Sequence, residues 1–411
     1  MQRATSLILL AAVALAVALL PVAAESAVTN EEQGGPQMAK LSIEEARVCV
    51  TGYDHNRPDD FPGLGDFIGW AGGVVRLPDG DLFFVHSAGY WHVSFATPHV
   101  IRQELVEQWA KGMNFDPDYN APTGGRIMAE RSSDNGKTWS RPFTVYDGPI
   151  DTGPSDIFVT REGTVLLIVN MQASWYGFAE APEGHQELNT RQLVMRSIDS
   201  AQTWSEPMPL DSSGTFYTRC RSHCLQLPDG GILLATYDMD KGSSRLYGTI
   251  HRSDDDGKSW RIISHIRRED QDLDEADWVQ LDSGRIVLAT RPDGAVFVSD
   301  DQGVSWEEIA KVGPDNFYAP SMVKLADDTI VCTAGGAGGQ SVFLSSDGGY
   351  NWSEPITVDP SVYGYGKLFR DRDESILLSY VQSGSPPNRC WLVRFRVNAQ
   401  RDGITLLPIA E

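Results

Sequence analysis

Apolar runs come in pairs along this chain, and each pair folds about a short polar turn. The pairs are 72–84 around Asp79-Gly80, 155–169 around Glu162-Gly163, 222–236 around Asp229-Gly230, 275–290 around Ser283-Gly284, 319–334 around Asp327-Asp328 and 364–380 around Asp373-Glu374. Turn dipeptides between β-rich runs predict hairpins. Helical periodicity is confined to 100–111. Six such hairpins predict six copies of one β unit, hence an all-β chain.

A second repeat lies between the hairpins. It reads Ser132-Ser133-Asp134-Asn135-Gly136-Lys137-Thr138-Trp139, and it returns at 197–204, 253–260, 299–306 and 345–352. The pattern is Ser-x-Asp-x-Gly-x-Thr/Ser-Trp, with Ala201 for Gly in the second copy and Asn351 for Thr in the fifth. The closing Trp residues, at 139, 204, 260, 306 and 352, are 65, 56, 46 and 46 apart. Repeats at this period mean a propeller, a solenoid or an array. Asp accepts hydrogen bonds from the backbone ahead of it, and Gly takes a positive φ without steric cost. Trp supplies a large apolar anchor between neighbouring sheets, so the five Trp residues are expected at equivalent, largely buried positions.

The motif resembles the Asp box, or bacterial neuraminidase repeat, of the sialidase superfamily. That resemblance implies a six-bladed β-propeller of four-stranded antiparallel blades over 42–411. Each hairpin then supplies a blade's two inner strands, and each box joins its two outer strands. Blade six has no box. Its outer strands are expected from 390–397 and 404–408, and from 47–52 near the N-terminus, which would close the ring. Hairpin turns and boxes fall on one face of such a ring, so the site is expected on the other. The long insertions 87–125 and 171–190 rise over that second face, and long loops on a rigid scaffold commonly carry binding residues.

Residues expected on the second face include Trp70, His86, Asp156, Arg219, Arg221, His223, Asp238, Glu275, Asp277, Arg291, Tyr318 and Tyr365. Aromatic rings mixed with paired charges suit a sugar. Three positions resemble the sialidase site. Tyr365, in Gly364-Tyr365-Gly366, resembles the nucleophile; Glu275 resembles its base; Arg291 resembles an Arg that grips the sialic acid carboxylate. An unactivated phenol has a pKa near 10, so attack by Tyr365 needs such a base. Where the family carries Phe/Tyr-Arg-Ile-Pro, this chain has Phe67-Ile68-Gly69-Trp70, and where a further Arg precedes the last box it has Gly338-Gly339-Gln340-Ser341. The acid/base Asp falls near Asn120, with Asp116 and Asp118 as nearby carboxylates, and Asp118 is taken as the candidate. Arg219 and Arg221 are the remaining sources of positive charge.

The termini and the composition add context. Arg3, the apolar run 7–20 and Val22-Ala23-Ala24 read as a signal peptide. Cleavage is expected after Ala24, followed by a polar tether over 25–41 and secretion or a periplasmic location. The chain carries 34 Lys plus Arg against 56 Asp plus Glu, a net charge of −22, which argues against nucleic acid and anionic membranes. An anionic ligand therefore needs a local basic pocket. Five cysteines in an exported chain permit disulfides, with Cys220–Cys224 and Cys49–Cys390 as the candidate pairs. No cofactor or metal is expected. The expected partner is a carbohydrate or glycoconjugate, met by a monomer with no membrane insertion. The resemblance implies an exo-glycoside hydrolase for terminal sialic acid or a related sugar. Two alternatives stay open: a carbohydrate-binding propeller without catalysis, and a glycosidase for a non-carboxylated sugar using Asp156, Asp238 or Glu275.

Overall fold

In the computed structural model the described residues are 41–52, 67–89, 125–148, 151–172, 191–211, 215–240, 242–335, 339–360, 365–382 and 389–409. All six predicted hairpins form, and all six close alike. In blade one, Leu77 N–H donates to Asp81 O at 2.8 Å and Gly80 N–H to Leu77 O at 3.0 Å; blade six repeats this with Asp371–Ser375 at 2.8 Å and Glu374–Asp371 at 3.2 Å. The last turn residue must be left-handed, as Gly80, Gly163, Gly230 and Gly284 are. Asp328 and Glu374 hold the same conformation, both with φ 64°, so the two hairpins lacking Gly keep the geometry at some local strain.

Six antiparallel sheets result, arranged as a six-bladed β-propeller. From the axis outward, blade one is Phe67–Arg76, Leu82–Gly89, Gly125–Ser132 and Phe143–Tyr146, and blade two is Asp151–Val159, Val165–Gln172, Arg191–Ser197 and Met208–Pro209. Blade three has an inner strand broken into Thr215–Cys220 and Leu225–Gln226, then Ile232–Asp240, Tyr247–Ser253 and Arg261–Ile266. Blade four is Asp274–Gln280, Ile286–Arg291, Ala295–Ser299 and Glu307–Lys311; blade five is Tyr318–Lys324, Ile330–Gly335, Gln340–Ser345 and Ile356–Asp359. Blade six is Lys367–Arg370, Ile376–Gln382 and Arg389–Val397. Its outer edge is shared: Ile404–Leu407 pairs with residues 394–397, and Arg47–Gly52 pairs with residues 389–393. The early strand therefore closes the ring, as the sequence predicts.

The core is six packets, one between each pair of neighbouring blades. Val75, Phe83, Ile157 and Leu167 fill the first; Leu82, Phe84, Leu377 and Leu392 fill the last, across the closure. Each repeated Trp packs into the packet shared with the preceding blade: Trp204 between one and two, Trp260 between two and three, Trp306 between three and four. All five are half-buried rather than largely buried. The indole sits at the rim of its packet, and at Trp139, Trp260, Trp306 and Trp352 its N–H is used by the turn itself, as in Trp352 Nε1 to Gly349 O at 3.0 Å.

Within each repeated turn the bonds are constant. Ser253 Oγ accepts from Gly257 N–H at 2.9 Å, and Asp255 accepts from Ser259 N–H at 2.8 Å and Ser259 Oγ–H at 2.6 Å. Asn351 keeps the last bond through Nδ2, at 2.6 Å to Asp347. Ala201 keeps the left-handed turn with φ 60°. Neither substitution changes the geometry.

The cysteines depart from expectation: all five are free thiols. The bulged register sets Cys49 against Trp391 and Thr51 against Cys390, so the two cysteines are not opposed. Cys220 Sγ instead donates to Ser222 O at 3.6 Å, and Cys224 is buried in the packet between blades two and three.

Candidate functional site

Irregularity in the inner strands builds the site. Cross-strand pairing in blade four passes from Asp274↔Arg291 to Asp277↔Ala289, so the inner strand carries one extra residue. Glu275 occupies that bulge with φ 44°. Blade five bulges between Tyr318 and Ser321, with Ala319 at φ 50°. A bulge breaks the alternation of side chains and re-aims them. Here it lets the adjacent Asp274 and Glu275 reach one guanidinium: Arg291 Nη1 lies 3.3 Å from Glu275 Oε1, and Arg291 Nε lies 3.8 Å from Asp274 Oδ1. The other oxygen of Glu275 accepts from Ala319 N–H at 2.9 Å. Glu275 is thus fixed between blades four and five.

Blade three contributes arginine through its broken strand. Ser222 Oγ donates to Ala235 O at 3.0 Å and accepts from Ala235 N–H at 3.1 Å, standing in for the missing backbone ladder. The freed backbone at 221–224 faces the axis instead. Arg221 is buried, with Nη2 donating to Gly366 O at 3.0 Å and its Cζ 5.4 Å from the Tyr365 ring centroid. That distance is within cation–π range. The half-buried Tyr365 also meets Tyr318 of blade five, with ring centroids 5.9 Å apart. The Tyr318 ring in turn needs Gly335, where a Cβ would stand 1.9 Å from it. Burial pulls Arg221 below the usual range, while Glu275 and the Tyr365 phenol oppose the shift. Arg291 is also pulled down by burial, but Glu275, Asp274 and Tyr365 outweigh it and hold the residue protonated. Arg219 is buried next to Thr218, and its charge acts on Asp274. Glu275, Arg291, Tyr365, Arg219 and Arg221 therefore gather at one end of the axis, away from the repeated turns.

A second set of charges lies among the inner strands beneath them. Asp277 Oδ1 accepts from His223 N–H and pairs with His223 Nδ1, both at 2.8 Å, while Oδ2 accepts from Met322 N–H at 2.7 Å. Asp156 Oδ2 accepts from Cys224 N–H at 3.0 Å, and its Oδ1 lies 3.7 Å from Lys367 Nζ. Lys367 Nζ donates to Arg221 O. Blades two, four and six thus supply the partners that the broken strand of blade three lacks. Burial pushes Asp156 up to about 6. Burial would raise Asp277 too, but His223 prevails and holds it below the ordinary carboxylate range.

Three predicted ligands belong to the scaffold. Asp156 is spent on the Cys224 backbone. Asp238 is buried inside blade three, where it accepts from Thr236 Oγ1 at 3.1 Å and Thr249 Oγ1 at 2.6 Å, and burial raises it to about 6. His86 is likewise enclosed, with Nε2 3.1 Å from Glu130 and its ring stacked on Phe84. Its strand position follows the hairpin prediction, but its side chain turns between sheets rather than to the axis. Trp70 lies on the inner strand of blade one, its side chain outside the described set. Asp118 lies outside the described residues. Gln340 is buried, with Nε2 donating to Thr333 Oγ1 at 2.9 Å, so a neutral amide stands where the resemblance would place an Arg. Sequence reasoning missed Asp274 and Lys367. A second carboxylate beside Glu275 and a lone cation two residues after Tyr365 were the available signals. Among the described residues, no group of His, Cys, Asp and Glu is arranged to hold a metal ion.

Residues 126–378 match the model of the BNR repeat-like domain. The chain belongs to that family. The matched stretch runs from the third strand of blade one to the second strand of blade six, and it includes all five repeated turns and the Glu275, Arg291 and Tyr365 positions. A sialidase of Micromonospora viridifaciens is 27% identical over 189 residues, covering 42% of this chain and 29% of that protein. The match therefore spans under a third of that relative's length. A crystal structure of a protein of unknown function from Dyadobacter fermentans DSM 18053 superposes with a TM-score of 0.63 at 14% identity, over 90% of this chain and 99% of that one. The Hadza microbial sialidase Hz136 gives 0.62 at 18% identity, over 84% and 68%. At these identities the superpositions establish a shared fold. The BNR repeat-like family thus frames the site, whose chemistry rests on its own residues.

Proposed function

We propose that this BNR repeat-like propeller is a secreted exo-glycoside hydrolase of the sialidase type, acting on terminal sialic acid or a related carboxylated sugar. The observation that carries the reading is the Arg291–Glu275 pair beside Tyr365, with Arg221 over the phenol ring. Tyr365 Oη attacks the anomeric carbon and forms a covalent glycosyl-enzyme as the bond to the aglycone breaks. Glu275 takes the phenolic proton, and an acid, for which Asp118 is the candidate, delivers a proton to the departing oxygen. Water then reverses the sequence and releases the sugar. A phenol nucleophile becomes anionic only as it reacts, which avoids setting a fixed carboxylate against a carboxylated substrate. Arg291 receives the sugar's carboxylate, and Arg219 and Arg221 add positive charge from blade three.

Gln340 in the place of an arginine favours a second reading, a propeller that binds such sugars without cleaving them. Hydrolysis of a chromogenic sialoside by purified protein separates the two. Turnover that vanishes in Tyr365→Phe supports the hydrolase, binding without turnover supports the lectin, and turnover that survives in Tyr365→Phe removes the nucleophile assignment. Secretion through a signal peptide ending near Ala24 belongs to the same proposal, and mass spectrometry of the mature N-terminus tests it.

A further inference from the structure

The bulge that aims Glu275 at Arg291 also aims Asp274 there, and the proposed reaction has no use for a second carboxylate on the guanidinium that receives the substrate's own. We infer that Asp274 is a specificity-determining residue: it competes with the substrate carboxylate for Arg291 and takes up a proton when that carboxylate binds. The inference rests on the proposed reading of the site.

The geometry supports it from three sides. Arg291 has one flank on the acid pair, with Nη1 on Glu275 and Nε on Asp274, and its side chain is still 39% exposed. The open flank is where an incoming carboxylate would arrive. Glu275 cannot yield, because its second oxygen is held by Ala319 N–H. Asp274 can, because among the described residues its Oδ1 is buried without a hydrogen bond and meets Arg291 at the longer distance of 3.8 Å. A carboxylate oxygen left bare in this way gains little from ionisation, and protonation releases the Nε edge of Arg291.

The charges around Asp274 set the direction. Glu275 and Asp272 on blade four repel its negative charge; Arg291 on blade four and Arg219 on blade three attract it. Arg245 stands behind Asp272 at 3.8 Å, and Tyr237 and Tyr365 face Arg291 from blades three and six. Burial and Glu275 outweigh the arginines, so Asp274 is pushed up to about 7. A bound substrate carboxylate adds another negative charge beside it and raises it further. Linkage then requires that binding draw a proton from solvent at pH above about 7.

The test uses the full-length protein with free N-acetylneuraminic acid as the probe, titrated calorimetrically at pH 6 and pH 8 in buffers of different ionisation enthalpy. Wild type is expected to take up close to one proton per ligand at pH 8 and much less at pH 6, with affinity falling roughly tenfold per pH unit above 7, as for one linked proton. Asp274→Asn should abolish the uptake, flatten the pH dependence and bind more tightly than wild type at pH 8. In turnover, the same variant should lower KM at pH 8 more than it changes kcat. Binding that is flat from pH 6 to 8 without proton uptake overturns the inference and leaves the proposed function standing, as does uptake that persists in Asp274→Asn. Wild type that binds no probe at either pH overturns both. The wild-type proton count needs no variant, so a folding defect in Asp274→Asn cannot rescue the idea.

Discussion

On the turn face, Ser253 accepts from the Gly257 backbone and Asp255 from Ser259, and every other repeated turn makes the same bonds. At the opposite end of the axis the blades do not repeat one another. Blade three breaks its strand at 221–224, blades four and five bulge with Glu275 and Ala319 at positive φ, and blade six offers Tyr365 and Lys367. On the turn face the repeated bonds close within one local motif, and the links to the next blade, such as Arg196 Nη2 to Asp256 at 2.9 Å, are added around it. The axial end borrows partners across the ring, so Asp277 of blade four answers the backbone of blades three and five. Repetition reports what holds a blade together. Departure from repetition, with bulged and broken inner strands whose buried charges are shared between blades, marks where a common frame has been adapted.

Breaking each end separately sharpens the contrast. The largest effect is expected from Tyr365→Phe, which should lower sialoside turnover on the order of a thousandfold or more while leaving the melting temperature within a degree or so of wild type. Loss of folding instead would recast Tyr365 as a structural residue. Asp277→Ala should cost roughly 3–5 kcal/mol in denaturant unfolding, because the buried carboxylate that pairs with the half-buried His223 and accepts from the His223 and Met322 N–H groups is lost. A cost near zero would mean that water replaces the carboxylate and that blade three does not depend on it. At the other face, Trp306→Ala should cost about 3 kcal/mol, the low end for a large aromatic because the indole is half-buried. Catalysis per folded molecule should be retained. Ser253→Ala should cost about 1 kcal/mol, again with activity intact, and a catalytic defect there would mean that the two ends are coupled.

The last prediction is a slope. Asp274 is raised from its ordinary 3.8 to about 7 on folding, so the native state holds a proton that the unfolded chain has already lost. Its ionisation therefore subtracts stability progressively as pH climbs from about 4 to 7. The melting temperature of Asp274→Asn minus that of wild type should grow over that window. A difference that stays constant, or shrinks with rising pH, would contradict the assigned environment.

The fold was legible because its information is local and repeated. Six turn dipeptides and five Trp-closed turns carry their own hydrogen-bonding logic, and even Ala201 and Asn351 leave it intact. The site was legible only in part. Glu275, Arg291 and Tyr365 stand at strand ends that hairpin counting can locate, and they do converge. His86 and Asp238 are also near strand ends, yet each turns between sheets, where Glu130 or threonine hydroxyls satisfy it. Strand position alone does not say which way a side chain faces once bulges interrupt the alternation. Asp156 was sited correctly near the axis but misread in role, because nothing in the local sequence announces that blade three breaks its strand and leaves Cys224 N–H in need of an acceptor.

The pairing of Arg47–Gly52 with the edge of Arg389–Val397 also bears on how the chain acquires its structure. The salt bridge from Arg47 to Asp359, 2.8 Å long, already joins residues 312 apart in sequence. Contacts of such separation form late and slowly. During synthesis the first strand emerges long before its partner exists, so blades one to five can assemble while blade six waits with an unpaired edge. An exposed strand edge invites pairing with other chains. The last step of folding is therefore the one most open to intermolecular exchange, and refolding yield should fall with protein concentration more steeply than the stability of the finished ring would suggest.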